Sequence, residues 1–380
     1  MLDGLRGAAV LLVMFGHFGK PDTTGFGVTV ERAISSFGWA GVDLFFVLSG
    51  FLITGILLDT RESPSYFRTF YTRRFLRIFP LYYVFLALVL WLWAPRAGAD
   101  EAMQRQGWLW AYLTNVDLVR HGVFFGASSA LNHLWSLAVE EHFYFVWPFF
   151  VLLLDRRGLI VAAILGFLGA EAARIGLQLH GSRAIAAYML TPTRVDGLAI
   201  GALLAMLARS PGGLTRWKPY APWLLAAAIG GVVYVFSKEP HFYYSSWKVI
   251  PVALPSLAIG FGALLLLTVA GEPQSVLQRV FRSGTLRFYG RYSYGLYVWH
   301  PLVGWLLTGA GLTQQVLARM VPGGAITAVT SFVLRTGVAT GVALISWRVI
   351  EQPFLRLKDR ATYAPSTRSM VEPARSQSAW

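Results

Sequence analysis

Leu2-Asp-Gly-Leu-Arg-Gly-Ala-Ala-Val-Leu-Leu-Val-Met-Phe-Gly-His-Phe18 is an apolar run of helical length that carries Asp3, Arg6 and His17. At about 100° per residue, Arg6 and His17 point within roughly 20° of each other, and Asp3 falls within about 40° of the same line. One face of an apolar helix therefore holds a carboxylate, a guanidinium and an imidazole. In hydrocarbon such groups cost several kcal/mol each unless they face a cavity or a partner. The stretch thus predicts a helix packed inside a membrane bundle, with its polar face at a functional site.

The rest of the chain fits that reading. It has 380 residues, 55% hydrophobic and only 14% charged, with a mean hydropathy of +0.52. That composition belongs to a polytopic membrane protein rather than a soluble domain. The 14 Trp and 16 Tyr suffice for aromatic belts at both interfaces. A net charge of +14 suggests nucleic acid at first sight, but the basic residues sit in short loops between apolar runs, so no nucleic-acid partner is expected. The absence of Cys excludes disulfides, thiolate metal sites and a cysteine acyl-thioester. No cleaved signal peptide is expected, since the first segment lacks a basic leader and its polar residues look useful in place.

The pattern predicts an all-α transmembrane bundle of about ten spans and no soluble domain. The spans fall at roughly 4–19, 39–58, 77–95, 136–154, 158–178, 195–208, 220–236, 249–270, 292–310 and 325–349. Gln106 to Val119 is apolar and Trp-rich but short, and reads as interfacial or re-entrant. A transmembrane domain is assigned to 1–357 and a short disordered cytoplasmic tail to 358–380. Lys and Arg concentrate in alternate loops: Arg61 to Arg77, Arg156 and Arg157, Arg209 to Lys218, Arg279 to Arg291, and Arg356 to Arg360. The positive-inside rule puts those loops and both termini in the cytoplasm of a cell with this protein in its inner membrane, with the Gly19–Gly38 and Ala94–Leu134 loops outside.

Four constellations could carry chemistry. In the first, His17 has the residue type of a general base near neutral pH, in line with Arg6 and Asp3; a His that only satisfies a neighbouring helix is the bland reading. The second is Leu134-Trp-Ser-Leu-Ala-Val-Glu-Glu-His-Phe-Tyr-Phe-Val-Trp-Pro148. There Glu140, Tyr144 and Trp147 share a face, and Glu140, with Glu141 beside it, could orient an imidazole on another helix or merely offset the helix dipole. The third is Arg73-Arg-Phe-Leu-Arg-Ile-Phe-Pro80, either a positive-inside anchor or a phosphate clamp in which Arg74 and Arg77 share a face. The fourth is Trp39 to Ile53, where Asp43 is a candidate partner for a buried charge and Gly41, Gly50 and Gly55 allow close helix approach. Arg194 and Asp196 at a membrane edge, His300 in Trp-His-Pro301, and Arg348 with Glu351 read as structural more than catalytic. His17-Phe-Gly-Lys-Pro-Asp22 spells the H-x4-D of soluble glycerolipid acyltransferases, but four free positions make that match cheap, and Pro21 ends the helix.

Taken in order, these stretches resemble the membrane acyltransferase-3 family over about residues 1–357. Leu2 to Gly7 with Arg6-x10-His17 is similar to its opening signature. Gly41–Ile53, Arg74-x-x-Arg77, Trp135–Pro148, Arg194–Gly197, Tyr292–Pro301 and Glu351–Phe354 are similar to its later ones. The resemblance implies ten helices and transfer of an acyl group, usually acetyl, from cytoplasmic acyl-CoA to a hydroxyl of a carbohydrate or related acceptor. It makes His17, Glu140 and Arg6 the catalytic set. Arg74 and Arg77 match the family's donor-binding motif; with Arg73 beside them they are read as the donor site, and Asp3, Asp43, Glu141, Arg194, Asp196 and His300 are read as supporting residues. Acyl-CoA is then the donor substrate, no cofactor is held permanently, and no metal is implied. The acceptor stays open among surface polysaccharide, peptidoglycan, a lipid-linked sugar and a secondary-metabolite sugar. The chain's end soon after the last helix leads one to expect no fused esterase-like domain. Two other readings are a transporter that lines its path with the same buried charges and a non-catalytic scaffold.

Overall fold

The computed structural model describes residues 1–19, 37–93, 100–122, 124–125, 129–239, 246–272, 274–321 and 324–363. It is a helical bundle, with no strand among those residues. In chain order the helices are α1 (Leu2–Phe18), α2 (Ala40–Asp59), α3 (Tyr66–Ala87), α4 (Asp100–Gln104), α5 (Gln106–Trp110), α6 (Thr114–His121), α7 (Leu134–Leu153), α8 (Arg156–Leu179) and α9 (Ala184–Met189). Then follow α10 (Thr191–Ala208), α11 (Ala221–Lys238), α12 (Ile250–Val269), α13 (Val276–Phe281), α14 (Gly284–Arg291), α15 (Ser293–Gly309), α16 (Gln314–Met320), α17 (Gly324–Ser346) and α18 (Gln352–Arg360).

Among the described residues, eight stretches are long and apolar enough to cross a membrane: Phe37–Asp59, Tyr66–Leu92, Leu134–Leu153, Arg156–Leu179, Ala184–Ala208, Leu214–Lys238, Ile250–Val269 and Ile326–Arg360. The chain is a multi-pass membrane protein. The other two expected spans, α1 and α15, have 17 residues each. That length reaches about 25 Å against a hydrocarbon core of about 30 Å. Helix α1 packs on α2, α14, α15 and α17, and α15 packs on α1 and α17.

Three boundaries differ from the sequence expectation. Helix α3 starts at Tyr66, eleven residues before the expected 77. Hydropathy marks where a helix is apolar, and the first turns of α3 are basic, so they read as loop. At the other end, α17 does not stop near 349. It passes through a π-turn, Trp347–Glu351, into α18, with Pro353 in the first turn, where a missing N–H costs nothing. The expected tail therefore begins inside a helix, at Lys358; residues 364–380 lie outside the described residues. The expected sixth span is preceded by α9, with a break at Leu190, whose backbone is extended.

The Gln106–Val119 stretch is not a span. It breaks into α5 and α6 at Tyr112, whose φ of 56° is the only positive value at a non-glycine among the described residues. Stacking of Tyr112 on Tyr82, with centroids 3.9 Å apart, and a 2.7 Å bond from Tyr82 Oη to the Leu109 carbonyl hold this hairpin on α3. Inside it Arg105 Nε donates to both Asp117 oxygens at 3.0 Å. Burial pulls the Arg105 pKa down, but Asp117 and Glu101 outweigh it and hold the guanidinium above its ordinary value.

The glycines of the opening stretch have a steric reason. A Cβ on Gly4 would sit 1.9 Å from the Phe281 carbonyl oxygen, and one on Gly7 would sit 2.0 Å from that of Leu286. Helix α1 thus lies backbone to backbone on α13 and α14, which turns Arg6 inward. Gly50 does the same for α2 against α10, its Cβ position being 2.0 Å from the Leu198 oxygen.

Candidate active site

A cavity of about 280 Å³ opens between α1, α2, α3, α7, α15 and the end of α18. Arg6 enters it from α1, Arg73, Arg74 and Arg77 from α3, and Glu140 and Glu141 from α7. The i, i+3 spacing of Arg74 and Arg77 does place both on the cavity face. Among the described residues, five cationic side chains, Lys358 included, and two carboxylates line the space.

Glu140 is the best-connected carboxylate there. It accepts a short hydrogen bond from the Ser49 hydroxyl of α2, and Ser49 Oγ lies 2.9 Å from Tyr144 Oη. Arg74 rests over the Tyr144 ring at 5.4 Å, and Arg6 and Arg74 are the cations acting on Glu140. Trp147 continues this face, donating from Nε1 to Thr54 Oγ1 at 2.8 Å. The shared face of Glu140, Tyr144 and Trp147 is therefore the α2-facing side of α7.

His17 lies at the far end of α1, about 16 Å along the axis from Arg6. Its Nδ1 is 2.9 Å from the Val13 carbonyl. A carbonyl only accepts, so Nδ1 carries the proton and a neutral ring keeps its lone pair on Nε2. The His17 ring meets His300 edge-on at 4.8 Å, and His133 lies 5.5 Å from His300. Tyr297 touches both inner rings, at 5.3 Å from His133 and 5.6 Å from His300. It also lines the cavity, its hydroxyl 2.5 Å from Ser136 Oγ. One aromatic ring thus separates the cationic cavity from a cluster of three imidazoles.

The expected site residues divide accordingly. Arg6, Glu140, Glu141, Arg73, Arg74 and Arg77 share the cavity. His17 and His300 share the imidazole cluster. Glu140, expected to orient His17, is hydrogen-bonded instead to Ser49 on the cavity side of Tyr297. Asp3 is exposed; its backbone, not its carboxylate, does the packing, on Gly290. Arg73 lines the cavity but donates to the backbone, 2.8 Å from the Ala361 oxygen. Asp43, Arg194 and Asp196 belong elsewhere. Asp43 Oδ1 accepts from Arg194 Nη2 at 2.6 Å, and Asp196 accepts from Arg174 at 2.9 Å, all four buried. Arg194 is enclosed by Tyr188, Phe46 and Trp135 at 4.9, 5.3 and 5.7 Å.

Sequence reading passed over Ser49, His133, Ser136, Tyr297, Lys358 and Arg174. Two of these carried a signal. His133 directly precedes the Leu134–Pro148 stretch, and Arg174 is a lone cation inside an apolar span, which demands a partner.

A multi-pass helical bundle with a buried cationic cavity at one end and an imidazole cluster at the other is the class of protein the geometry defines. The family model described as an acyltransferase domain, Acyl_transf_3, matches residues 1–348. The chain belongs to that acyltransferase-3 family. It is 29% identical to the peptidoglycan O-acetyltransferase OatA of Listeria monocytogenes, over 93% of this chain and 55% of that protein. It is 30% identical to the putative peptidoglycan O-acetyltransferase YrhL of Bacillus subtilis, over 79% of this chain and 47% of the relative. A putative O-acetyltransferase of Staphylococcus aureus, SAR0937, is 27% identical over 97% of this chain and 60% of its own length. The chain thus spans about half the length of the relatives it matches. No solved structure matches it.

Proposed function

We propose that this chain is a membrane-embedded O-acetyltransferase that moves an acetyl group from acetyl-CoA to a hydroxyl of a cell-wall glycan of the peptidoglycan type. The observation that carries the proposal is that the arginine-lined cavity and the imidazole cluster of His17 lie on either side of one ring, Tyr297, whose hydroxyl meets Ser136 and whose ring meets His133 and His300. Cations in excess suit the phosphates of a coenzyme A thioester. The basic end of the bundle then faces the cytoplasm of a cell whose inner membrane holds the protein. The glycan meets His17 from the opposite side. Membership of an acyltransferase family and relatives named for peptidoglycan O-acetylation support this direction.

In this scheme the thioester reaches from the cavity toward Tyr297. The acceptor oxygen attacks the thioester carbon while His17 Nε2 takes the hydroxyl proton. As the C–O bond forms, the C–S bond breaks, and the thiolate leaves and takes up a proton. The Val13 carbonyl keeps His17 in the tautomer this step requires. Arg6, in the cavity and well down the helix from His17, helps to hold the phosphate end of the donor. Glu140, held by Ser49, anchors the cationic wall around Arg6 and Arg74.

The test is release of free CoA by protein in lipid nanodiscs, with acetyl-CoA and a soluble muropeptide acceptor. Acceptor-dependent release, with an O-acetylated product by mass spectrometry, is the expected result. Passage of acetyl-CoA or acetate across a sealed vesicle with no acylated product would replace this reading with transport.

A further inference from the structure

The family match ends at residue 348, yet the cavity wall does not. Lys358 and Tyr363 complete it. Helix α18 packs on α3, and the chain beyond is pinned there by its carbonyls. Arg73 Nη1 donates to Ala361 O at 2.8 Å and to Lys358 O at 3.3 Å, and Thr69 Oγ1 donates to Thr362 O at 3.4 Å. Arg73 is in this way committed to fixing the segment. What the segment presents in return is the Lys358 ammonium, on a side chain only 19% exposed. Its carboxylate neighbour is Asp359, 3.9 Å away and itself 73% exposed, a pair too solvated to neutralise it.

The charge count sets what this ammonium is for. Arg6, Arg73, Arg74, Arg77 and Lys358 face Glu140 and Glu141, an excess of three positive charges among the described residues that line the cavity. A half-enclosed excess of that size is matched by a polyanion with several phosphate oxygens. We propose that Lys358 is a phosphate-binding residue of the donor site, carried by the C-terminal segment 352–363 and held in place by Arg73. The ligand class is a phosphorylated thioester, so the proposal rests on the acetyl-CoA reading above. An anionic lipid headgroup offers the same phosphate chemistry at this face, and the experiment separates the two.

Wild type, Lys358→Met and Lys358→Arg are placed, as full chains, in nanodiscs of phosphatidylcholine alone. Each is assayed with acetyl-CoA and with acetyl-N-acetylcysteamine, the same thioester without phosphates. The readout is the ratio of kcat/KM between the two donors, which cancels any loss of folded protein. Loss of one charge-assisted contact lowers that ratio about tenfold in the Met variant, and the Arg variant keeps most of it. A wild-type preference for acetyl-CoA that Lys358→Met leaves intact overturns the role of Lys358 while the donor reading stands. Equal use of both donors by wild type overturns the donor reading itself. A loss that appears only after phosphatidylglycerol is added assigns Lys358 to lipid and overturns the proposal.

Discussion

Two regions of this bundle concentrate arginines and acids, and they treat charge in opposite ways. Around Asp43, Arg194, Arg174 and Asp196, each cation has a carboxylate partner, Arg174 having Glu171 as a second, and the four side chains are at most 3% exposed. Around Arg6, Arg74 and Glu140, cations outnumber carboxylates and the groups border a cavity. An intramembrane charge alone therefore says little. A charge that is matched and sealed joins helices, as Arg194 joins α10 to α2. A surplus that faces open volume is a binding site in waiting. The two regions predict opposite phenotypes: losing a sealed charge unfolds the protein, and losing a surplus charge disarms it.

The largest effect is expected at the far end of the open region. His17→Ala removes the proposed proton acceptor, and turnover is expected to fall about 10²- to 10⁴-fold. His17 is exposed and stands in the last turn of α1, outside the apolar core. The variant therefore melts within a few degrees of wild type by differential scanning fluorimetry in detergent. A His17→Ala protein with wild-type acetyl transfer would move the chemistry away from the imidazole cluster.

Next comes the sealed region. Arg194→Met leaves Asp43 charged and buried without its partner, a loss of about 3–5 kcal/mol in unfolding free energy. Adding Asp43→Leu removes the orphaned carboxylate and restores much of the stability, because a well-packed apolar pair is often as stable as a buried ion pair. Transfer rate per folded molecule stays within about threefold of wild type in the double variant, a readout independent of expression level. Poor rates in a well-folded double variant would give Arg194 a part in the chemistry and dissolve the contrast between the two regions.

How much of this was legible beforehand follows from what helical spacing encodes. Periodicity reports which residues share a face, so Arg6 with His17, Arg74 with Arg77, and Glu140 with Tyr144 were all readable. It does not report what that face meets. Ser49 reaches Glu140 across 91 positions, and Tyr297 reaches Ser136 across 161. A lone hydroxyl in an apolar helix gives no hint of such a partner. The same gap explains Glu140, whose face was read correctly and whose expected neighbour, His17, belongs to another cluster. Helix boundaries failed where polarity changed while the helix continued: the basic start of α3 and the π-turn before α18. That second failure mattered most, since it assigned Lys358 to a disordered tail when the residue walls the cavity.

The third prediction sharpens the contrast from the open side. Arg77→Gln removes one surplus cation. KM for acetyl-CoA rises about tenfold, and stability holds or increases slightly, because like charges in a partly desolvated space repel. Arg194→Met and Arg77→Gln each delete one arginine from an apolar bundle, so their melting temperatures are the direct comparison.

Arg209 marks the lower end of the scale. Its Nε and Nη2 donate to Asp59 at 2.6 Å, a fork as well formed as any in the sealed region. Yet the two side chains are 35% and 61% exposed. Water already solvates both ions, so closing the pair gains little that solvent does not supply. Arg209→Ala is expected to cost less than about 1 kcal/mol, to lose part of even that at high salt, and to leave acetyl transfer at the wild-type rate. The pair is thus a control for geometry: its distances match the single Arg194–Asp43 bond and its two-pronged contact is the fuller of the two, while its exposure is far greater. A loss as large as that of Arg194→Met would mean that hydrogen-bond geometry, not burial, sets the worth of these arginines, and the division between sealed and open charge would have to be redrawn.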